Sequence, residues 1–301
     1  MSIRGLCFVI ASVLVTAAAL HAAGPAPVIL TLWTEKAPLA GGTLESDIPT
    51  IHLYQVESNQ PTAGVVVCPG GGYGHLAMDH EGKQIAEWFN GMGVTAAVCV
   101  YRHRGAGGNG GAGYGHPVPM LDAQRAIRSM RSNAKQWNLD DTKIGVLGFS
   151  AGGHLASTIS THHDSGNPES ADIVDQQSSR PDFSILAYPV IALGQEITHR
   201  GSQKNLLGEN ADPELIQSLS NEKAVNAKTP PTFLFHTVED TAVPVENSVV
   251  YFTALRKAGV PVEMHLFERG RHGVGLAAGM VGAGKWPDLC KAWLKSRNIV
   301  D

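Results

Sequence analysis

Gly148-Phe149-Ser150-Ala151-Gly152 sets a serine between two glycines as a G-x-S-x-G pentapeptide. It follows the apolar run Lys143–Phe149 and precedes a helix expected over Gly153–Ser160. A strand that turns sharply into a helix at a serine exposes the hydroxyl, and the glycines let the flanking segments approach closely. A serine hydroxyl is a weak nucleophile and needs an oriented base. In such a sheet the acid and the base come from loops after later strands, in the order serine, acid, histidine. After the run Thr232–Thr237 comes Val238-Glu239-Asp240-Thr241, and after Val262–Phe267 comes Arg269-Gly270-Arg271-His272-Gly273. Ser150, Asp240 and His272 are therefore the candidate nucleophile, acid and base, and their chemistry is acyl transfer through a covalent serine ester.

Other residues are weaker candidates. Glu239 adjoins Asp240 but points the other way if strand geometry continues, and Asp182 precedes its strand, at the wrong end of the sheet. His236 and His265 lie inside expected strands, where a hydrogen-bonded core or surface histidine is the default. His154, one turn after Ser150, reads as structural. An oxyanion hole needs two N–H donors. Ala151 supplies one, and Pro69-Gly70-Gly71-Gly72-Tyr73, after the strand-like Ala63–Cys68, offers Gly72 or Gly71 as the other. Pro69 stands where a histidine is usual in such loops, so this loop must be anchored differently. Tyr73, His75, Tyr114 and His116 are expected on the rim as substrate contacts.

Three motifs mimic other chemistry. Gly105–Gly110 matches G-x-G-x-x-G, but no helix starts there and Pro117 and Pro119 follow, so a loop is expected rather than a dinucleotide site. In His162-His163-Asp164 adjacent histidines face apart on a helix. Asp79-His80-Glu81 reads as a polar loop before its helix.

The elements that would hold these groups alternate. Ala63–Cys68, Val94–Tyr101, Lys143–Phe149, Phe183–Val190, Thr232–Thr237 and Val262–Phe267 are continuous apolar runs, suited to parallel strands covered on both faces. Helical spacing joins Ile85, Trp88, Phe89 and Met92, then Ala123 through Trp137, then Trp286 through Leu294. Thr31–Trp33 and Thr50–Val56 are expected as antiparallel strands at the front edge. The polar stretch Gly194–Lys228 is expected as a small helical insertion over the site. This predicts an α/β protein with a mainly parallel, doubly wound sheet.

At 301 residues, 43% hydrophobic and 17% charged, the chain is long enough for one large core. A net charge of −4 with no basic cluster argues against a nucleic-acid partner. Arg4, the apolar run Leu6–Leu20 and the small residues Ala22-Ala23 read as a cleaved secretory signal over residues 1–23, leaving 24–301 as the catalytic domain without stable membrane insertion. The run is short for a membrane span, which takes about 20 residues. Cys68, Cys99 and Cys290 would remain, an odd number that implies no disulfide framework. No C-x-x-C pair is present to suggest structural zinc.

Cys68-Pro-Gly-Gly-Gly-Tyr73, Gly148-Phe-Ser-Ala-Gly-Gly-His-Leu155, Ala187-Tyr-Pro-Val190 and Val243-Pro-Val-Glu-Asn247 resemble bacterial carbohydrate esterases. The resemblance is to the bifunctional feruloyl/acetylxylan esterase-like group of α/β-hydrolases and runs from about Ile29 to Leu294. It implies an α/β-hydrolase fold and removal of acetyl or feruloyl groups from xylan-type polysaccharides, or from a small ester. Acyl transfer needs a nucleophile, a base and an oxyanion hole, and the residues offer all three, so no metal or organic cofactor is expected. A general short-chain carboxylesterase or lipase and a prolyl-oligopeptidase-like peptidase share the fold and triad. The stretch Gly105–Gly115 is not a feature of the resemblance.

Overall fold

A computed structural model describes residues 26–301; the expected signal, residues 1–23, lies outside them. Among the described residues eight strands form one sheet: β1 (Val28–Thr31), β2 (Thr50–Tyr54), β3 (Thr62–Cys68), β4 (Thr95–Val100), β5 (Leu139–Phe149), β6 (Ser184–Ala187), β7 (Thr232–Thr237) and β8 (Val262–Phe267). Their order is β1-β2-β4-β3-β5-β6-β7-β8. β1 and β2 are antiparallel, and β3 to β8 are parallel. This is the α/β-hydrolase architecture expected above.

Alternation along each parallel strand sorts its side chains into two cores. Val66, Cys68 and Val146 face a layer built from α2 (Val118–Ser132), α3 (Ser150–Thr161) and α7 (Glu246–Lys257). Val65, Val67, Leu147 and Phe149 face α1 (Gln84–Asn90) and α8 (Trp286–Ser296), through Phe89, Trp286 and Trp293. Burying one such Val, Leu or Phe fully contributes about 1.5–3 kcal/mol relative to leaving it in water. Cys68, Cys99 and Cys290 are free and buried; burial pushes the Cys68 thiol up to about 12.

Some boundaries differ from the sequence expectation. The edge strand runs Val28–Thr31 rather than Thr31–Trp33. β6 stops at Ala187 because Tyr188 takes φ 37° and Pro189 follows. α2 ends at Ser132, and Ala134 and Trp137 pack from the turn after it. The insertion is three short helices, α4 (Arg200–Leu207), α5 (Pro213–Ser218) and α6 (Asn221–Ala224), and its Leu215, Ile216 and Leu219 pack with Val190, Leu193 and Val243.

Register places the site. Cys68 pairs with Gly148 and Phe149 with Ala187, so the loops after β3, β5 and β6 leave the sheet side by side. Thr237 pairs with Phe267, which sets the loops after β7 and β8 together.

Candidate active site

Ser150 is the first residue of α3 and holds φ 52°, in the left-handed region. A non-glycine residue there is strained and needs surrounding structure to hold it. Close packing supplies that: a Cβ on Gly152 would stand 2.1 Å from the Cys68 carbonyl oxygen, so only glycine lets the elbow lie against the end of β3. The helix therefore begins at the serine rather than at Gly153.

The three candidate residues meet. His272 Nε2 lies 2.8 Å from Ser150 Oγ, and His272 Nδ1 lies 2.6 Å from Asp240 Oδ2. A carboxylate only accepts, so Nδ1–H donates to Asp240; in the neutral ring Nε2 then accepts the Ser150 hydroxyl proton. Asp240 Oδ1 accepts the Ala242 and Val243 N–H groups, each at 2.9 Å, and His236 Nε2 stands 3.3 Å from Oδ2. Burial alone would raise the Asp240 pKa, but the hydrogen bonds from His236, His272 and Val243 outweigh it and hold the carboxyl well below its ordinary range. Asp240 is thus ionised wherever His272 is asked to take a proton. Glu239 turns away and accepts the Gly270 N–H at 3.1 Å, bracing the loop that carries His272. Tyr188 packs edge-on to the His272 ring, with centroids 5.1 Å apart.

The loop after β3 has its polar groups assigned one by one. Pro69 O accepts the Tyr101 hydroxyl at 2.6 Å, and the Gly70 N–H donates to buried Glu81 at 2.8 Å. Gly71 O accepts from Gly74 and His75, and Gly72 O accepts the Asn205 side-chain amide at 2.8 Å. Among the described residues the Gly71 and Gly72 N–H groups meet no acceptor. Gly72 has φ 63°, and His199 and Ser202 side-chain atoms lie 4.0 Å from where its Cβ would be. With Ala151 N–H in the unpaired first turn of α3, these amides are the available oxyanion donors.

Two rim expectations fail. Tyr73 takes φ 56°, which turns its side chain inward; it is 1% exposed and its hydroxyl bonds His154 Nδ1 at 2.9 Å. Tyr114 is 2% exposed, and its hydroxyl donates to Asp47. Neither ring faces a substrate. His75 is exposed and His116 half-exposed. Sequence reasoning missed His199, half-buried at the start of α4 beside Gly72. Its Nδ1 accepts the Ser202 N–H at 3.2 Å, which leaves Nε2–H as a donor. It also missed His236 as a partner of Asp240, because an i, i+4 pair spanning a strand end has no sequence signature.

His154 is buried behind the elbow. Its Nε2 donates to Leu219 O at 2.9 Å and its Nδ1 accepts from Tyr73, while burial lowers its pKa to about 4 and keeps it neutral. The glycine-rich stretch packs on the oxyanion loop: Arg104 N–H bonds Tyr73 O at 2.9 Å, and a Cβ on Gly105 would stand 1.8 Å from Gly74 O. Among the described residues no group of three or more His, Cys, Asp or Glu side chains could hold a metal ion, and no helix is long and apolar enough to cross a membrane.

Comparisons with known proteins agree on the neighbourhood. A family model described as BD-FAE matches residues 51–255. The chain is 39% identical over 233 residues to endo-1,4-beta-xylanase B of Butyrivibrio fibrisolvens, covering 76% of this chain and 35% of the relative. It is 35% identical over 221 residues to an acetylxylan esterase of Xylanibacter ruminicola, covering 72% of this chain and 42% of the relative. The chain thus spans well under half the length of these curated relatives. A solved structure, titled acetyl ester-xyloside bifunctional hydrolase from Caldicellulosiruptor lactoaceticus, superposes with a TM-score of 0.86 at 44% identity, over 92% of this chain and 99% of that one.

Proposed function

The chain belongs to the BD-FAE family, and on that premise we propose that it is a serine carboxylic ester hydrolase that deacetylates xylan-type polysaccharides. The observation that carries the reading is the hydrogen-bonded line from Ser150 through His272 to Asp240, set beside the free amides of Gly71, Gly72 and Ala151. Ser150 Oγ attacks the ester carbonyl while His272 Nε2 takes its proton. The tetrahedral oxygen gathers its negative charge against Ala151 N–H and Gly72 or Gly71 N–H. Collapse breaks the bond to the sugar oxygen, which leaves with the proton from His272. Water, activated by the same histidine, then releases acetate and frees Ser150. Asp240 stays charged throughout and stabilises the imidazolium. Every bond made or broken is served by these side chains and amides, so the proposed reaction calls on no metal or organic cofactor.

The substrate class rests on the relatives' names, acetylxylan esterase and xylanase, and on a polar insertion with no long apolar segment to cover a fatty chain. Export is part of the same proposal: Arg4, Leu6–Leu20 and Ala22-Ala23 follow the order of a cleaved signal, which would deliver the enzyme to polymers outside the cytoplasm. Mass spectrometry of the N-terminus from the native host tests export; recovery of intact Met1 in the membrane fraction contradicts it.

The test of substrate is acetate release from acetylated xylan, alongside kcat/KM for acetyl, butyryl and octanoyl p-nitrophenyl esters and a feruloyl ester. We expect acetate release and a fall from acetyl to octanoyl, since a full acyl site loses about 1–3 kcal/mol per added methylene. A rate that rises through octanoyl with no acetate from xylan overturns the polysaccharide assignment in favour of a lipase-like carboxylesterase.

A further inference from the structure

We infer that Glu81 is a positioning residue that sets the oxyanion loop and the histidine loop in register with each other. Glu81 lies on a single wide turn, Asp79–Lys83, closed by a Lys83 N–H to Met78 O bond of 2.8 Å. Such i→i+5 turns occur mostly as isolated turns and often at functional sites. The turn carries Glu81 inward, to 3% exposure, while its neighbour His80 stays 46% exposed.

Each carboxylate oxygen of Glu81 has its own donor. Oε2 accepts the Gly70 N–H at 2.8 Å, and Oε1 accepts the Tyr188 hydroxyl at 2.9 Å. The Tyr188 oxygen in turn accepts the Gly275 N–H at 2.9 Å, and Gly275 lies on the loop that carries His272. The Tyr188 ring packs edge-on to His272. One buried carboxylate thus joins the loop that offers oxyanion donors to the loop that offers the base.

The link has a chemical consequence. Gly70, Gly71 and Gly72 are consecutive, and only some of their amides can face the site. By taking the Gly70 N–H inward, Glu81 selects Gly71 and Gly72 as the amides left free. A Cβ on Gly70 would stand 2.6 Å from Glu81 Oε2 and 2.9 Å from Ser150 Cβ, so this peptide is wedged between the carboxylate and the nucleophile. The loop has Pro69 where a histidine is usual, and Glu81 together with Tyr101 supplies the missing anchorage.

Glutamine, with one acceptor oxygen, replaces this carboxylate only in part. With that oxygen on the Gly70 N–H, its NH2 must donate to the Tyr188 oxygen, which already accepts from Gly275, and the Tyr188 hydroxyl proton loses its acceptor. Glu81→Gln should therefore loosen donors that matter in the transition state more than in substrate binding. Removing one oxyanion donor outright costs about 100–1000-fold in kcat, so a misaligned pair is expected to cost about 10–100-fold.

The inference rests on the esterase reading, and the experiment separates the two. Wild type, Glu81→Gln and Tyr188→Phe are compared for kcat and KM on p-nitrophenyl acetate, for inhibition by a boronic acid that forms a tetrahedral serine adduct, and for thermal unfolding. Glu81→Gln should stay folded, lose kcat about 10–100-fold with KM within about threefold, and lose boronate affinity in parallel. Tyr188→Phe, which cuts only the link to the histidine loop, should show the same pattern more weakly. If Glu81→Gln fails to fold, Tyr188→Phe decides by the same readout. Folded variants with wild-type kcat, or a raised KM at unchanged kcat, overturn the positioning role while the esterase reading stands. An inactive wild type overturns both.

Discussion

Asp240 and Asp122 are both carboxylates with fully buried side chains, yet their surroundings push them in opposite directions. Asp240 accepts from two backbone amides and two histidines drawn from three segments, and stays charged well below the ordinary carboxylate range. Asp122 sits deeper, in α2, and its bonds come from one residue: the Arg102 N–H at 2.9 Å, Nε at 3.0 Å and Nη2 at 2.6 Å. Burial raises the Asp122 pKa to about 6 against the pull of Arg102. The Asp122 pair is closed, with Arg102 Nη1 spent on Pro38 O at 2.8 Å, and it ties the end of β4 to α2 and the N-terminal loop. The Asp240 line ends instead at a hydroxyl in the site. A closed buried pair sets structure; an open-ended one can move a proton.

The largest test of that contrast removes the open end. Ser150→Ala and His272→Ala should each lower kcat by about 10^4–10^6, and the double variant should be little worse, because the members act as one unit. Additive losses would break the comparison. Asp240→Asn should follow at about 10^4, since an amide cannot hold the productive imidazole tautomer.

Asp122→Ala addresses the closed pair. It strands a buried guanidinium, so unfolding by denaturant should show a loss of about 3–5 kcal/mol. At a temperature where the variant is folded, kcat/KM should stay within about threefold of wild type. A stable Asp122→Ala protein with crippled turnover would give the pair a catalytic part and erase the distinction.

The smallest effect is in pH. His154 is neutral in the fold down to about 4, whereas its unfolded counterpart takes a proton near 6.5. Its contribution is complete above pH 6.5 and is lost as pH falls toward 4, by about 3 kcal/mol at most. Asp122, raised to about 6, contributes in the opposite sense, its stability present at low pH and lost as pH rises through 6. His154→Gln keeps a donor and an acceptor without the titration. Its stability should decline less than wild type between pH 6.5 and 4 in parallel denaturant titrations, and equal slopes would contradict the assignment.

The contrast also marks what could be read from residues alone. Ser150 was legible because its turn demands glycines at fixed offsets, and Asp240 and His272 because parallel strands deliver loops to one edge in chain order. Asp122 was not, because it falls beside Ala123 and Ala126 on an otherwise ordinary amphipathic helix. Glu81 was hidden for a related reason: Asp79-His80-Glu81 reads as polar surface until a wide turn rotates one carboxylate inward. Tyr73 misled because a single left-handed residue reverses the direction of its side chain. The mainly parallel sheet followed from alternating apolar runs, whereas its strand order came only with the structure. The rim depends on loops whose packing is decided by distant partners, such as Asp47 holding Tyr114 and Asn205 holding Gly72.

The central claim is that Ser150 is the acyl-accepting nucleophile, driven by His272. Incubating the purified protein with a p-nitrophenyl phosphonate and measuring intact mass, then mapping the adduct by peptide sequencing, tests it directly. The account predicts one phosphonyl group per chain, on Ser150, absent in Ser150→Ala and formed far more slowly in His272→Ala. An adduct on another residue, or undiminished labelling of Ser150→Ala, would contradict it.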